Sequence, residues 1–208
     1  MIIGLSRRGK FLIIRLRIFI PCLCVRSLCL CSFRQGYKAV DCGIHLSLCA
    51  MDLKRGDKII CSVNAFPSIA QVIRHFDAEP IFVDICEDDF NIDPNELEKI
   101  LKTQNHKKLK AAFITHVAGQ SADMEAIYRL ANEYGIKIID DASRAMGATF
   151  NGNLIGNMNS YMSCFQINPQ VQHAVATTGI IVTNDDEMAN RARLIRNHAI
   201  INDSFDKD

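Results

Sequence analysis

The sequence predicts a three-layer α/β/α domain, with helices on both faces of a mostly parallel sheet. Three observations predict it. From residue 37 onward, short β-rich runs alternate with amphipathic helical stretches. The run "IKIID" is apolar without alternation, as in a strand buried on both faces. Helix starts are marked by Pro67 and by Asp93-Pro94, and a helix stop by Gly135.

The elements follow in order. "HLSLCAMDL" reads as a helix ended by the "KRGD" turn, and "KIICSV" as the next strand. "PSIAQVIRHFD" is a helix with Pro67 in its first turn, where no intrahelical N–H is needed. "PIFVDI" is a strand. "DPNELEKILKTQ" opens with Asp93, Pro94 and Glu96 in a capping-box arrangement. "LKAAFITHV" is a strand and "ADMEAIYRLANEYG" a helix. After "IKIIDDA", the Asn-Gly pair in "TFNGNLIG" predicts a hairpin. "YMSCFQI" and "GIIVTN" are strands. "DDEMANRARLIRNH" closes the series as a helix with acids in its first turn and bases in its last.

The 208 residues carry a net charge of +1, with 49% hydrophobic and 23% charged residues, which fits a soluble globular protein. That balance argues against a general nucleic-acid or membrane-surface binder. Cys42, Cys49, Cys61, Cys86 and Cys164 lie in apolar segments and read as buried free thiols of a reducing compartment. Cys22, Cys24, Cys29 and Cys31 show paired C-x-C spacing, but no further ligands lie beside them, so no metal site is expected.

The first 36 residues stand apart. Residues 1–40 hold eight basic residues, from Arg7 to Lys38, and no acidic one. Arg15 and Arg17 interrupt the apolar run, which therefore meets the needs of neither a secretory signal nor a spanning helix of ~20 apolar residues. Residues 1–36 are expected to lie outside the fold. Residues 37–200 are expected to form the domain and 201–208 a tail, with the C-terminal small domain expected to be absent.

In parallel sheets, ligands bind where strands end and helices begin. Asp140 and Asp141 end the "IKIID" strand, so at least one is expected to face that crevice. A carboxylate there can hold a metal, act as a base, bind a protonated ring nitrogen, or simply cap a helix. His116 also ends a strand and is a second candidate. No Gly-rich phosphate loop, nucleophile elbow or metal-binding histidine spacing is present.

Five blocks between Leu53 and His198, about two thirds of the chain, carry a resemblance. They are "LKRGDKIICSVNAFPSIAQVI", "AEPIFVDICEDDFNIDPNELEKI", "HVAGQSADMEAI", "IIDDASRAMGATFNGNLIG" and "IIVTNDDEMANRARLIRNH". In this order they are similar to the DegT/DnrJ/StrS-type sugar aminotransferases, pyridoxal-phosphate enzymes of fold type I. The resemblance implies the large domain of that fold, pyridoxal 5'-phosphate as cofactor and nucleotide-linked keto-sugars as substrates, with glutamate as amino donor. It also implies cytoplasmic work in nucleotide-sugar or polysaccharide biosynthesis, and a homodimer or heterodimer with sites at the subunit interface. Asp141 falls on the aspartate that pairs with the pyridine nitrogen. Phe66 falls on the aromatic residue against the ring. Gly43 falls in a remnant of the phosphate-binding Ser-Gly-Thr turn at a helix N-terminus.

The departures bear on activity. The family's loop carries the lysine that holds the cofactor, and Val171 occupies that position. Gln166 replaces the serine expected to hold the phosphate, and Thr177, Thr178 and Gly179 replace Glu-Gly-Gly. Arg144 replaces a glutamine. No lysine occurs between Lys137 and Lys207, so no shift of alignment restores the amine. A transaminase needs that amine both to tether the cofactor and to move the substrate proton. The expectation is an inactive or fragmentary relative. The alternatives are a dehydratase that binds the cofactor non-covalently with His173 as base, a non-catalytic partner of an intact paralogue, or a remnant reading frame.

Overall fold

In a computed structural model, residues 27–33, 39–104, 107–167 and 177–196 are described. Nine strands and five helices follow one another among them: β1 (Ser27–Phe33), α1 (Ala39–Ala50), β2 (Lys58–Ser62), α2 (Pro67–His75), β3 (Glu79–Val83), α3 (Pro94–Thr103), β4 (Leu109–Thr115), α4 (Met124–Tyr134), β5 (Lys137–Asp141), β6 (Thr149–Phe150), β7 (Asn153–Leu154), β8 (Met162–Ile167), β9 (Thr177–Thr183) and α5 (Asp186–Arg196). The main sheet has the order β1-β9-β8-β5-β4-β2-β3. Strands β3, β2, β4, β5 and β8 run parallel, and β9 and β1 are antiparallel to their neighbours.

Alternation along each strand sends successive side chains to opposite faces. Ile59, Cys61, Ala111, Phe113, Ile139 and Cys164 meet α1, α2 and α5 on one face. Ile60, Ala112, Ile114 and Ile138 meet α3 and α4 on the other. Residues 111–114 of β4 are all fully buried, as the centre of a doubly covered parallel sheet requires. The architecture is thus the expected three-layer α/β/α domain.

Local chemistry accounts for the helix ends. Pro67 opens α2 directly after Phe66. Asp93 caps α3 by accepting the Asn95 N–H at 2.8 Å. The expected capping box does not close, because the Asp93 N–H donates to the Asp84 carbonyl and Glu96 pairs with Lys99. Asp123 caps α4 by accepting from Ala126, and Gly135 ends that helix at φ 66°. Asn151 and Gly152 adopt φ 48° and 78°, the I′-type turn that joins β6 to β7.

Two expectations are corrected. Helix α1 begins at Ala39, upstream of His45, and Gly43 lies inside it. It ends in a Schellman pattern, with the Asp52 N–H donating to Cys49 O and the Leu53 N–H to Leu48 O. The second correction concerns residues 1–36. Ser27–Phe33 pairs along the whole of β9, from Ser27 opposite Thr183 to Phe33 opposite Thr177. The strand covers an edge whose N–H and C=O groups would otherwise lack partners. Residues 1–26, Cys22 and Cys24 among them, fall outside the described residues, as does the tail 201–208. No described helix is long and apolar enough to cross a membrane.

Candidate functional site

The parallel strands β2, β3, β4 and β5 end at Ser62, Val83, Thr115 and Asp141 along one edge of the sheet. Strand β8 also ends there, and antiparallel β9 starts there. Loops cross this edge, and three contacts stitch them in sequence. The Asn64 side chain donates to Phe90 O at 3.2 Å, joining the turn after β2 to the loop after β3. Buried Asn91 accepts the Val117 N–H at 2.9 Å, joining that loop to the one after β4. Gly119, at φ +90°, lies so close to the turn after β5 that an added Cβ would stand 2.7 Å from Arg144 O. The sequence reading assigned no role to Asn64 or Asn91. Their only local signal is a side-chain amide in a turn, and their partners lie 26 residues away.

Asp140 and Asp141 are both buried. Asp141 shares the face of Ile139 and lies opposite Cys164, with one carboxylate oxygen accepting the Ser143 N–H at 3.2 Å. Helix α1 covers that face, where Ser47 Oγ stands 3.3 Å from Cys164 Sγ. Burial pushes the Cys164 thiol up to about 12, with smaller contributions from the Asp141 and Asp140 charges. Asp141 thus lies beside a thiol that stays protonated near neutral pH.

Asp140 turns to the opposite face. Ser163 donates to its Oδ2 at 2.7 Å, and His116 Nε2 faces its Oδ1 at 3.7 Å. His116 is buried and does not line the open edge. Tyr128 of α4 lies near enough that burial, then the Asp140 charge, raises its phenol pKa, while its hydroxyl contacts Ser160 at 2.7 Å.

The other expected residues separate. Phe66 sits at the start of α2, about half exposed. Strand β4 lies between β2 and β5, so Phe66 follows a strand about 10 Å across the sheet from that of Asp141. Gly43 does not occupy the opening turn of a helix. It is the fifth residue of α1, buried against β9 with a virtual Cβ 3.7 Å from Ile181 Cγ1, and its carbonyl accepts from Ser47. Its N–H lies past the free first turn, so the expected phosphate contact lacks its geometric basis. Val171 and His173 lie outside the described residues. Of the five cysteines expected to be buried, none of which is in a disulfide, only Cys61 and Cys164 are fully buried, whereas Cys42, Cys49 and Cys86 are partly exposed.

The donor set fits part of a pyridoxal-phosphate site. A buried carboxylate at a strand end suits a protonated ring nitrogen, and an exposed aromatic residue on the same edge suits a ring face. Bound, the cofactor supplies an electron-accepting pyridinium ring. Asp141 would hold the proton on that nitrogen and Phe66 would cover the ring. No lysine between Lys137 and Lys207 offers an amine.

A model of the DegT/DnrJ/EryC1/StrS aminotransferase family matches residues 41–207. A "pleiotropic regulatory protein" of Geobacillus stearothermophilus is 35% identical over 172 residues, covering 80% of this chain and 45% of that protein. An uncharacterized protein of Methanocaldococcus jannaschii is 31% identical, covering 83% and 44%. The chain therefore spans less than half the length of these curated relatives. Among solved structures, DesV of S. venezuelae in complex with a ketimine intermediate superposes with a TM-score of 0.73 at 26% identity, covering 84% of this chain and 45% of DesV. NtdA of Bacillus subtilis with bound cofactor PMP gives 0.68 at 27% identity, covering 83% and 36%. A GDP-4-keto-6-deoxymannose-3-dehydratase with a trapped PLP-glutamate geminal diamine shares the fold, at 0.73 and 22% identity over 85% of this chain and 45% of that one. On the extent of the family match and the shared fold, this chain belongs to the DegT/DnrJ/EryC1/StrS aminotransferase family.

Proposed function

We propose that this chain is a sugar-nucleotide aminotransferase-like protein of nucleotide-sugar or polysaccharide biosynthesis. It binds pyridoxal phosphate without a covalent tether and does not transaminate. One observation carries the reading: the buried strand-end carboxylate Asp141 is kept, while the lysine position holds Val171 and no amine lies between Lys137 and Lys207. Asp141 retains the means to recognise a protonated ring, and the chain lacks the base that would move the substrate proton. Its substrate class is a nucleotide-linked keto-sugar. Cys42, Cys49, Cys61, Cys86 and Cys164, none of them in a disulfide, support a reducing, cytoplasmic setting.

Titration of purified protein with pyridoxal phosphate tests this reading. Saturable binding that leaves no borohydride-stable label supports it. A covalent label on the chain, or turnover of an amino donor, overturns it.

A second reading, a non-catalytic partner in a homodimer or heterodimer, is favoured by Val63, Phe82 and Phe90, each more than half exposed. Large apolar side chains on an edge strand and the loops beside it suit an interface. Co-purification with an intact, lysine-bearing homologue supports that reading, and a strictly monomeric chain in its presence overturns it. The dehydratase alternative needs His173 as base, and loss of turnover in His173→Ala is its test.

A further inference from the structure

Four buried side-chain atoms have no hydrogen-bond partner among the described residues: Ser68 Oγ, Thr115 Oγ1, His116 Nε2 and Asp140 Oδ1. The last two form a pair, facing one another at 3.7 Å. Such atoms cost free energy when left unpaired, so their mutual approach calls for an explanation. His116 Nδ1 accepts the Ala122 N–H at 3.2 Å, which requires an unprotonated Nδ1 and puts the ring proton on Nε2, toward Asp140. The other Asp140 oxygen accepts from Ser163. The side chains thus bring together the ends of β4 and β5 and the start of β8 on the face away from α1.

The main chain makes a second tie. The His116 N–H donates to the carbonyl of Asp141 at 3.1 Å. His116 therefore meets β5 at two consecutive residues, bonded to Asp141 by its backbone and facing Asp140 with its ring at 3.7 Å. We propose that His116 is a positioning residue for Asp141: with Asp140 and Ser163 it fixes the strand end from which the Asp141 carboxylate meets the cofactor's ring nitrogen. The inference rests on the cofactor reading above.

The test uses the full chain and two probes, pyridoxal phosphate and its analogue with carbon in place of the ring nitrogen. Only the first draws on Asp141. In His116→Asn, the amide oxygen can still accept from Ala122, but the donor toward Asp140 is lost. Pyridoxal phosphate is then expected to bind about tenfold more weakly, with analogue binding unchanged. His116→Gln places an amide N–H near the Nε2 position and is expected to recover most of the loss. Ser163→Ala, which keeps the histidine, is expected to weaken the same probe selectively.

Equal loss of both probes, or no loss of either, overturns the positioning role and leaves the cofactor reading standing. Failure of the wild-type chain to bind pyridoxal phosphate overturns both. Imidazole 15N resonances of the wild type supply a measurement that needs no variant to fold. A proton on Nε2, slow to exchange, supports the network, and a proton on Nδ1 overturns it.

Discussion

Asp140 and Asp141 are adjacent in sequence, both buried, and face opposite sides of the sheet. Asp140 is tied to Ser163 and faces His116, whereas Asp141 lies beside Cys164 under α1 with the Ser143 amide on its carboxylate. The two carboxylates therefore cannot exchange roles. Asp141→Asn is expected to weaken pyridoxal-phosphate binding by about ten- to a hundredfold, the worth of a charge-assisted hydrogen bond of about 1.5–3 kcal/mol. Equilibrium dialysis measures this, and unchanged affinity would remove Asp141 from the site.

The missing amine can be supplied. Val171→Lys places a lysine where the family keeps one, and borohydride treatment with pyridoxal phosphate should then leave a label on the peptide carrying residue 171. The wild-type chain, treated in parallel, should carry none between residues 138 and 206. Peptide mass spectrometry reads both results.

Gly119→Ala should destabilise the protein by about 1–3 kcal/mol. The new methyl meets a backbone carbonyl, Arg144 O at 2.7 Å, at a φ of +90° that side chains rarely adopt. Because this contact joins the loops after β4 and β5, the urea midpoint should fall together with affinity for the cofactor. Gly56→Ala is the control for backbone strain alone, since its φ is +76° with nothing within 4 Å of the added carbon.

Acid sensitivity should trace in part to His45. His45 is solvent-exposed on one side, but partial desolvation against the His75 and Phe76 rings, and then repulsion from His75, holds its pKa below the ordinary 6.5. Since the folded value lies below the unfolded one, this contribution is complete above about pH 6.5 and is lost as the pH falls through the folded value. His45→Gln should therefore flatten the decline of the urea midpoint between about pH 7 and about pH 5. An unchanged slope would show that other groups govern that range.

Thiol reactivity should divide the cysteines between Cys42 and Cys164. Burial lifts the Cys61 and Cys164 thiols to about 12, so both should resist alkylation near neutral pH until the chain unfolds. Cys42, Cys49 and Cys86 are more accessible and should label first in a timed maleimide reaction. Early labelling of Cys164 would mean that the packing between α1 and β8 opens readily.

The sequence by itself determined whatever depends on a few adjacent residues. Pro67, Asp93 and Gly135 mark helix ends, Asn151-Gly152 makes the hairpin, and the unbroken apolar run before Asp141 is a strand buried on both faces. The lack of a lysine between residues 137 and 207 is likewise legible without coordinates. Tertiary structure alone decided which aspartate faces α1, that His116 turns inward to Asp140, and that Asn91 holds the loop after β4. It also placed Gly43 within a helix and seated Ser27–Phe33 on β9. Local patterns record backbone propensity over a turn or a strand. The face a side chain takes and the loop it reaches follow from strand order and register, which hydrogen bonds between distant segments establish.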